Sequence, residues 1–212
     1  NSLGGLLGTG TFNTDSGTWV YYWESDQMLV PGNTIDWSTG YMNTAWSADG
    51  ATGYLSTLSY DEDGTGTGYA HGAPRVLKTT DAGVTWTEMA DFDFATIANL
   101  DDYLVPQRQG DKVPFFWGTS GFDGTVDKNG NLHLFLEMSS SSTNHPDSAG
   151  FTWNGNNFLV DLFTTSSGWD AVVFGMRQTD AVDDVTDPMA LGWDQRMQCG
   201  RSADGSVVYA AW

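Results

Sequence analysis

Apolar residues in this chain recur in short runs rather than in long helical stripes. Gly53-Tyr54-Leu55-Ser56-Thr57-Leu58, Leu132-His133-Leu134-Phe135-Leu136 and Val207-Val208-Tyr209-Ala210-Ala211-Trp212 are the clearest. Each follows a turn pair, at Asp49-Gly50, Asn129-Gly130 and Asp204-Gly205. A Gly-containing pair ahead of an aromatic or aliphatic run is the pattern of a tight β-hairpin. Within Leu132–Glu137 the period of two puts Leu132, Leu134 and Leu136 on one face and His133, Phe135 and Glu137 on the other. The pattern predicts three equivalent hairpins in an all-β chain.

A second pattern lies between these hairpins. Thr79-Thr80-Asp81-Ala82-Gly83-Val84-Thr85-Trp86 has the spacing Thr-x-Asp-x-Gly-x-Thr-Trp. It closely resembles the Asp-box of the bacterial neuraminidase repeat. In that motif the Asp carboxylate accepts hydrogen bonds from its own loop, Gly supplies a positive φ and Trp packs between sheets. The resemblance assigns those places to Thr79, Asp81, Gly83, Thr85 and Trp86. Two degenerate copies accompany it. One runs from Asn13 to Trp19 with Asp15, Gly17 and Trp19, one residue short; the other runs from Thr164 to Trp169 with Thr165, Gly168 and Trp169, and lacks the Asp.

The resemblance implies a sialidase-like β-propeller, in which each blade has four antiparallel strands and the box joins the third to the fourth. The spacing supports one repeating unit: 32 residues separate Asp49 from Asp81, and 37 separate Asn129 from Ser166. The expected organisation is one partial propeller domain over 1–212. It has an outer half blade at 1–30, blades at 43–90 and 115–176, and an inner half blade at 195–212. Insertions are expected at 91–112, 139–150 and 178–194. About three blades fall short of the ~4 to 8 that close a ring, so the chain is expected to be a fragment, with apolar blade faces uncovered at both ends. A start at Asn1 without Met or a signal-peptide pattern agrees with a processed or cut chain.

Composition supports strand over helix. The 27 acids comprise 23 Asp and 4 Glu, with only 3 Lys and with 26 Gly. Asp and Gly favour turns, whereas Glu and Lys fill exposed helix positions. A net charge of −19 repels phosphate backbones and anionic bilayers, which excludes nucleic acid as a partner. No apolar stretch approaches the ~20 residues of a membrane-spanning helix, so no membrane insertion is expected. The single Cys199 excludes an internal disulfide, and His71, His133 and His145 have no zinc spacing. High Asp, low Lys and 10 Trp suit a secreted or cell-surface protein.

Candidate chemistry is sparse. A sialidase needs three converging arginines for the substrate carboxylate, together with a Tyr/Glu pair and an Asp acid/base. Arg75, Arg108, Arg177, Arg196 and Arg201 satisfy the count, but the Arg-Ile-Pro signature is absent: Ala73-Pro74-Arg75-Val76 has Pro on the wrong side. No catalytic residue is assigned. Asp61-Glu62-Asp63-Gly64-Thr65-Gly66 has the clustered carboxylates of a calcium loop, with Asp61 and Asp63 as candidate ligands, although position twelve is Gly72 rather than Glu. Calcium is the one cofactor this admits; a solvated acidic loop is the competing reading, as for Asp91/Asp93, Asp101/Asp102 and Asp180/Asp183/Asp184/Asp187. Trp37, Tyr41, Trp117, Phe122, Trp153, Trp169 and Trp193 are candidate loop aromatics for stacking on a sugar or peptide, against the alternative of wedging between blades. His133 is read as a strand residue at a blade interface.

The expected function is that of an extracellular propeller segment, a binding or scaffold module. Its partners are the remaining blades of a parent chain and a glycan or surface protein. Two alternatives stand beside it: a glycoside hydrolase completed by other blades, and a structural subunit of a surface assembly.

Overall fold

The computed structural model describes residues 5–26, 37–60, 73–90, 97–104, 113–116, 122–141, 158–176 and 197–212. These form thirteen strands, and the only helical element among them is a three-residue 3₁₀ turn at Ala98–Leu100. No helix among the described residues is long and apolar enough to cross a membrane.

Sheet I contains β3 (Trp37–Trp46), β4 (Gly53–Tyr60), β5 (Ala73–Thr79) and β6 (Thr87–Glu88) in chain order, all antiparallel. Sheet II contains β7 (Val113–Phe116), β8 (Asp123–Val126), β9 (Leu132–Ser141), β10 (Phe158–Thr165) and β11 (Gly168–Met176). Here β7 and β8 pair with successive stretches of the same edge of β9, so the sheet is again four strand positions wide. Two hairpins complete the description: β1 (Gly5–Asn13) with β2 (Thr18–Asp26), and β12 (Gln198–Arg201) with β13 (Val208–Ala211). The sheets begin at Trp37 and Val113, earlier than the expected 43 and 115, and the hairpins occupy Gly5–Asp26 and Gln198–Ala211.

Two expected insertions need correction. β9 runs on to Ser141, so 139–141 is strand, extended by its pairing with β7. Within 91–112, Ile97, Leu100 and Leu104 are buried in the main core, so part of this connection is packing material. The 178–194 segment lies outside the described residues.

The main core joins sheet I to one face of sheet II. Ala45, Tyr54 and Val76 of sheet I form one cluster with Leu132, Leu134, Leu136, Met138, Phe158, Val160 and Leu162 of sheet II. The other face of sheet II, with Phe135 and Leu159, packs with Met197, Cys199, Val208 and Ala210 of the carboxyl-side hairpin. Strands covered on both faces lose the apolar-in, polar-out division of a half-exposed sheet, because neither face is left to water. This is why Phe135 and Leu136, adjacent in sequence, are both buried.

The stack has a direction. Gly53, Leu132 and Val208 are each the first strand residue after a turn, and they pair back with Trp46, Val126 and Arg201. Tyr54, His133 and Tyr209 are therefore equivalent positions. The Tyr54 face of sheet I meets sheet II, and the His133 face of sheet II meets the carboxyl-side hairpin.

Candidate functional site

The most organised polar structure lies where the sheets meet through their first strands. β8 runs beside β3 on one side and β12 on the other. Asp123 joins all three: its Oδ1 accepts from Asn43 Nδ2 at 2.6 Å and its own sheet's Gly124 N–H at 2.9 Å, while Oδ2 accepts from Cys199 N–H at 2.8 Å. Burial, with the Asp123 carboxylate next in effect, pushes the Cys199 thiol well above its usual range, so it is a packed thiol and not a nucleophile. Asn43 and Asp123 are themselves equivalent positions, three residues ahead of Trp46 and Val126. Sequence reading missed both, because a lone Asn or Asp ahead of a hairpin carries no spacing signal.

The three turns repeat one hydrogen-bond design. In Ser47–Thr52, Asp49 Oδ1 accepts from Ser47 Oγ at 2.6 Å and Ala51 N–H at 3.0 Å, and Ser47 Oγ accepts from Thr52 N–H at 2.9 Å. In Ser202–Val207, Asp204 Oδ1 accepts from Ser202 Oγ at 2.7 Å and Ser206 N–H at 3.1 Å, and Ser202 Oγ from Val207 N–H at 3.0 Å. The middle turn is a residue shorter. Asp127 stands at the serine position and accepts from the N–H groups of Asn129 and Asn131, both at 2.8 Å. Asn129 is thus a donor, where the other turns have an acceptor. Gly50, Gly130 and Gly205 all have positive φ, between 69° and 81°, which the turn requires. These bonds hold Asp204 down to about 2, Ser202 contributing most.

The turns also touch one another. Tyr54 Oη donates to the Gly130 carbonyl at 2.6 Å, Lys128 N–H to the Gly205 carbonyl at 2.9 Å, and Arg201 Nη1 to the Val126 carbonyl at 2.8 Å. The turn glycines therefore mark one end of a stack of three sheets.

The loop joining β5 to β6 closes around Asp81. Oδ1 accepts from Thr79 Oγ1 and Thr85 N–H, both at 2.8 Å, and Oδ2 from Thr85 Oγ1 at 2.6 Å. Thr79 Oγ1 accepts in turn from Gly83 N–H at 3.0 Å. The bonds to Thr85, then Thr79, hold Asp81 down to about 2. Gly83 has φ 88°, and Ala82 before it has φ 58°, an unfavourable conformation for an L side chain that the motif did not signal. Trp86 packs against Leu55 and Leu77 and edge-on to Trp46, 5.8 Å between centroids.

The other two loops differ. Between β10 and β11 only Ser166 and Ser167 intervene, and Thr165 Oγ1 accepts from Ser167 N–H at 3.2 Å. Trp169 keeps its place: it pairs with Thr164, lies against the main core and donates from Nε1 to the Ala90 carbonyl at 3.2 Å. It bridges sheet II to the end of sheet I from within a strand, which corrects the expectation of a loop aromatic. Between β1 and β2, Asn13 replaces Asp15 as the loop acceptor; its Oδ1 takes the N–H groups of Asp15 and Ser16 at 2.9 and 3.1 Å. Asn13 ends its strand, from where its side chain reaches the following amides. Gly17 and Gly168 have φ 65° and 135°, and Trp19 is exposed.

His133 stands between two carboxylates. Its Nδ1 is 2.9 Å from Asp161 Oδ2, its Nε2 is 3.8 Å from Asp127 Oδ2, and its ring stacks on Phe163. Burial lowers its pKa, but the bond to Asp161 and both negative charges outweigh this, and the net shift is upward.

Other candidates do not converge. Phe122 is buried rather than in a binding loop, because it packs into the main core. Trp37 and Tyr41 belong to β3, not to a loop. Buried Arg75 lies 3.3 Å from Glu88, and Arg201 serves the Val126 carbonyl, so these two arginines have structural partners in different sheets. Asp101 and Asp102 are exposed after the 3₁₀ turn. Asp61, Asp63, Asp91, Asp93, Asp180, Asp183, Asp184, Asp187, His71, His145, Trp117, Trp153, Trp193, Arg108, Arg177 and Arg196 lie outside the described residues. Among the described residues no three His, Cys, Asp or Glu side chains gather to hold a metal ion.

Fold and geometry together define an all-β protein built from antiparallel four-stranded sheets. No protein-family model matches the chain, and no curated protein matches it in sequence.

Proposed function

We propose that the chain is a segment of a secreted or cell-surface β-propeller that acts as a binding or scaffold module, its ring completed by further blades. The observation that carries this reading is the placing of β3, β8 and β12 side by side, tied through Asp123, with each sheet turning the same face to the next. Sheets stacked face to face through equivalent first strands are the repeating step of a propeller. The loop around Asp81 supports the kinship with Asp-box repeats, since its bonds are local and structural.

Binding is favoured over catalysis because the polar groups brought together are already spent on one another. Asp123, Asp81 and Asp204 accept bonds from their own loops or neighbours, and Cys199 is held protonated. The net charge of −19 favours a neutral or cationic surface ligand, a glycan or a surface protein, over an anionic one. The test is a glycan array probed with the chain, run beside hydrolysis of a fluorogenic sialoside. Retention of a glycan without turnover supports the module. Turnover that survives purification would make the protein a glycosidase and overturn this reading.

A further inference from the structure

Each turn of the stack contains a residue pair that folding needs and solution chemistry attacks. The positive φ of Gly50, Gly130 and Gly205 calls for glycine, and the Asp or Asn before each lends its side chain to the turn. Such a pair is also the one most open to imide formation, because a residue without Cβ lets its nitrogen reach the side-chain carbonyl carbon of its predecessor. Asp49 and Asp204 resist as carboxylates. Hydrogen bonds, those from Ser47 and Ser202 foremost, hold both below the ordinary range, and an ionised carboxylate has no ready leaving group. Asn129 is instead a neutral amide whose nitrogen can leave as ammonia, and it is exposed at the tip of its turn. Of the three equivalent positions it is the reactive one at neutral pH.

The closed turn holds this pair back. Gly130 N–H, whose nitrogen would be the nucleophile, donates to the Asp127 carbonyl at 3.1 Å. Asn129 Nδ2 donates to Asp127 Oδ2 at 3.2 Å and Asn129 N–H to Oδ1 at 2.8 Å, so the amide is turned back along the chain, away from Gly130. From sheet I, Tyr54 Oη holds the Gly130 carbonyl at 2.6 Å; on the other side Lys128 N–H donates to the Gly205 carbonyl at 2.9 Å. The middle turn is thus pinned by both its neighbours, and it opens only when these contacts yield.

We propose that Asn129 is a site of spontaneous deamidation gated by opening of this turn, and that its conversion loosens the seams on either side. In the open turn the Gly130 nitrogen gives up its proton and bonds to Asn129 Cγ; the Cγ–Nδ2 bond breaks and ammonia departs, leaving a cyclic imide. Water then opens the imide at either carbonyl, giving an aspartyl residue or an isoaspartyl residue whose main chain runs through the β-carbon. Both products set a carboxylate opposite Asp127 where an amide donor stood, and the like charges repel. The isoaspartyl product also adds a carbon to the main chain ahead of Gly130, which displaces its carbonyl from Tyr54 Oη.

The test holds the full chain at neutral pH, native and unfolded in guanidinium chloride. Digestion and mass spectrometry follow the peptide spanning 129–130, with an isoaspartyl methyltransferase assay on the same samples. Digestion separates this pair from Asn154-Gly155, which lies outside the described residues. A reaction confined to the open state runs in proportion to its population, so Asn129 should convert about tenfold or more slowly in the native chain than in the unfolded one. Tyr54→Phe keeps the ring but frees the Gly130 carbonyl; it should speed native conversion severalfold and leave the unfolded rate unchanged. If that variant does not fold, the native-to-unfolded ratio of the parent chain decides alone. Converted chain gains one negative charge on the −19 already present, so ion exchange separates it, and it should melt below the parent. Equal rates in the two states overturn the proposal, as does an Asn129 that stays intact in both. A folded Tyr54→Phe chain no faster than the parent, or converted chain that melts with the parent, overturns the link to the seams.

Discussion

Sheets I and II share a strand order and a turn position yet place different chemistry on the same scaffold. On the face each turns to the next sheet, sheet I has Tyr54 and Val76 where sheet II has His133 and Asp161. The first seam is sealed by apolar packing together with bonds from Tyr54 to the Gly130 carbonyl, from Asn43 to Asp123 and from Trp169 to the Ala90 carbonyl. The second carries an imidazole between two carboxylates beside a smaller apolar cluster. Their loops differ in the reverse sense: sheet I has the full loop around Asp81, and sheet II a two-residue turn that keeps only the tryptophan. What both sheets retain is what the stack needs, a positive-φ glycine at the turn and an indole wedged at the far edge. What varies is how each local cost is met.

The largest effect should come from the apolar seam. Leu134 is fully buried between sheets I and II, so Leu134→Ala should cost about 2 to 5 kcal/mol, read from urea melts. A loss below 1 kcal/mol would show that the seam does not hold the sheets together.

Removing the loop acceptor comes next. Asp81→Ala strands the Thr85 N–H and should lower Tm by on the order of 5 °C without changing ligand retention. Because the folded carboxyl sits at about 2 rather than 3.8, its contribution is present above pH 3.8 and fades as pH falls toward 2. The variant should therefore lose less stability than the parent chain over that acid range. Sheet II, whose loop has no such carboxylate, offers no corresponding site.

The polar seam predicts a pH effect of opposite sign. The His133 pKa is raised above 6.5, so its stabilisation is complete below 6.5 and is lost as pH rises through the raised value. Asp161→Asn should bring the imidazole pKa down, as followed by NMR, and flatten this alkaline loss. An unmoved pKa would assign the shift to Asp127 instead. The smallest change is a gain: Ala82→Gly relieves φ 58° and should add about 0.5 to 1 kcal/mol, measured by calorimetry.

Much of this architecture was legible because turns and strand runs are local. Asp49-Gly50, Asn129-Gly130 and Asp204-Gly205 demand a backbone that few other pairs adopt, and the runs after them are β4, β9 and β13. The loop around Asp81 was equally readable, since every bond made by the Asp81 and Thr79 side chains spans four residues or fewer. Asn13 was not, because an Asn at a strand end and an Asp two residues later look alike in sequence until the loop decides which one faces the amides.

The sequence by itself determined the turns, the strand class and the excess of negative charge, all set by near neighbours along the chain. Only the tertiary structure decided that Ile97, Leu100 and Leu104 fill the core, and that Tyr54 and Tyr209 occupy the same place with opposite exposure. It also decided that Asp123 joins Asn43 to Cys199. Those contacts link residues 76 and 80 positions apart, and no pattern within one strand can encode which strand will lie beside it. Packing of whole sheet faces makes that choice, because burial is shared among many side chains and becomes favourable only once the sheets have met.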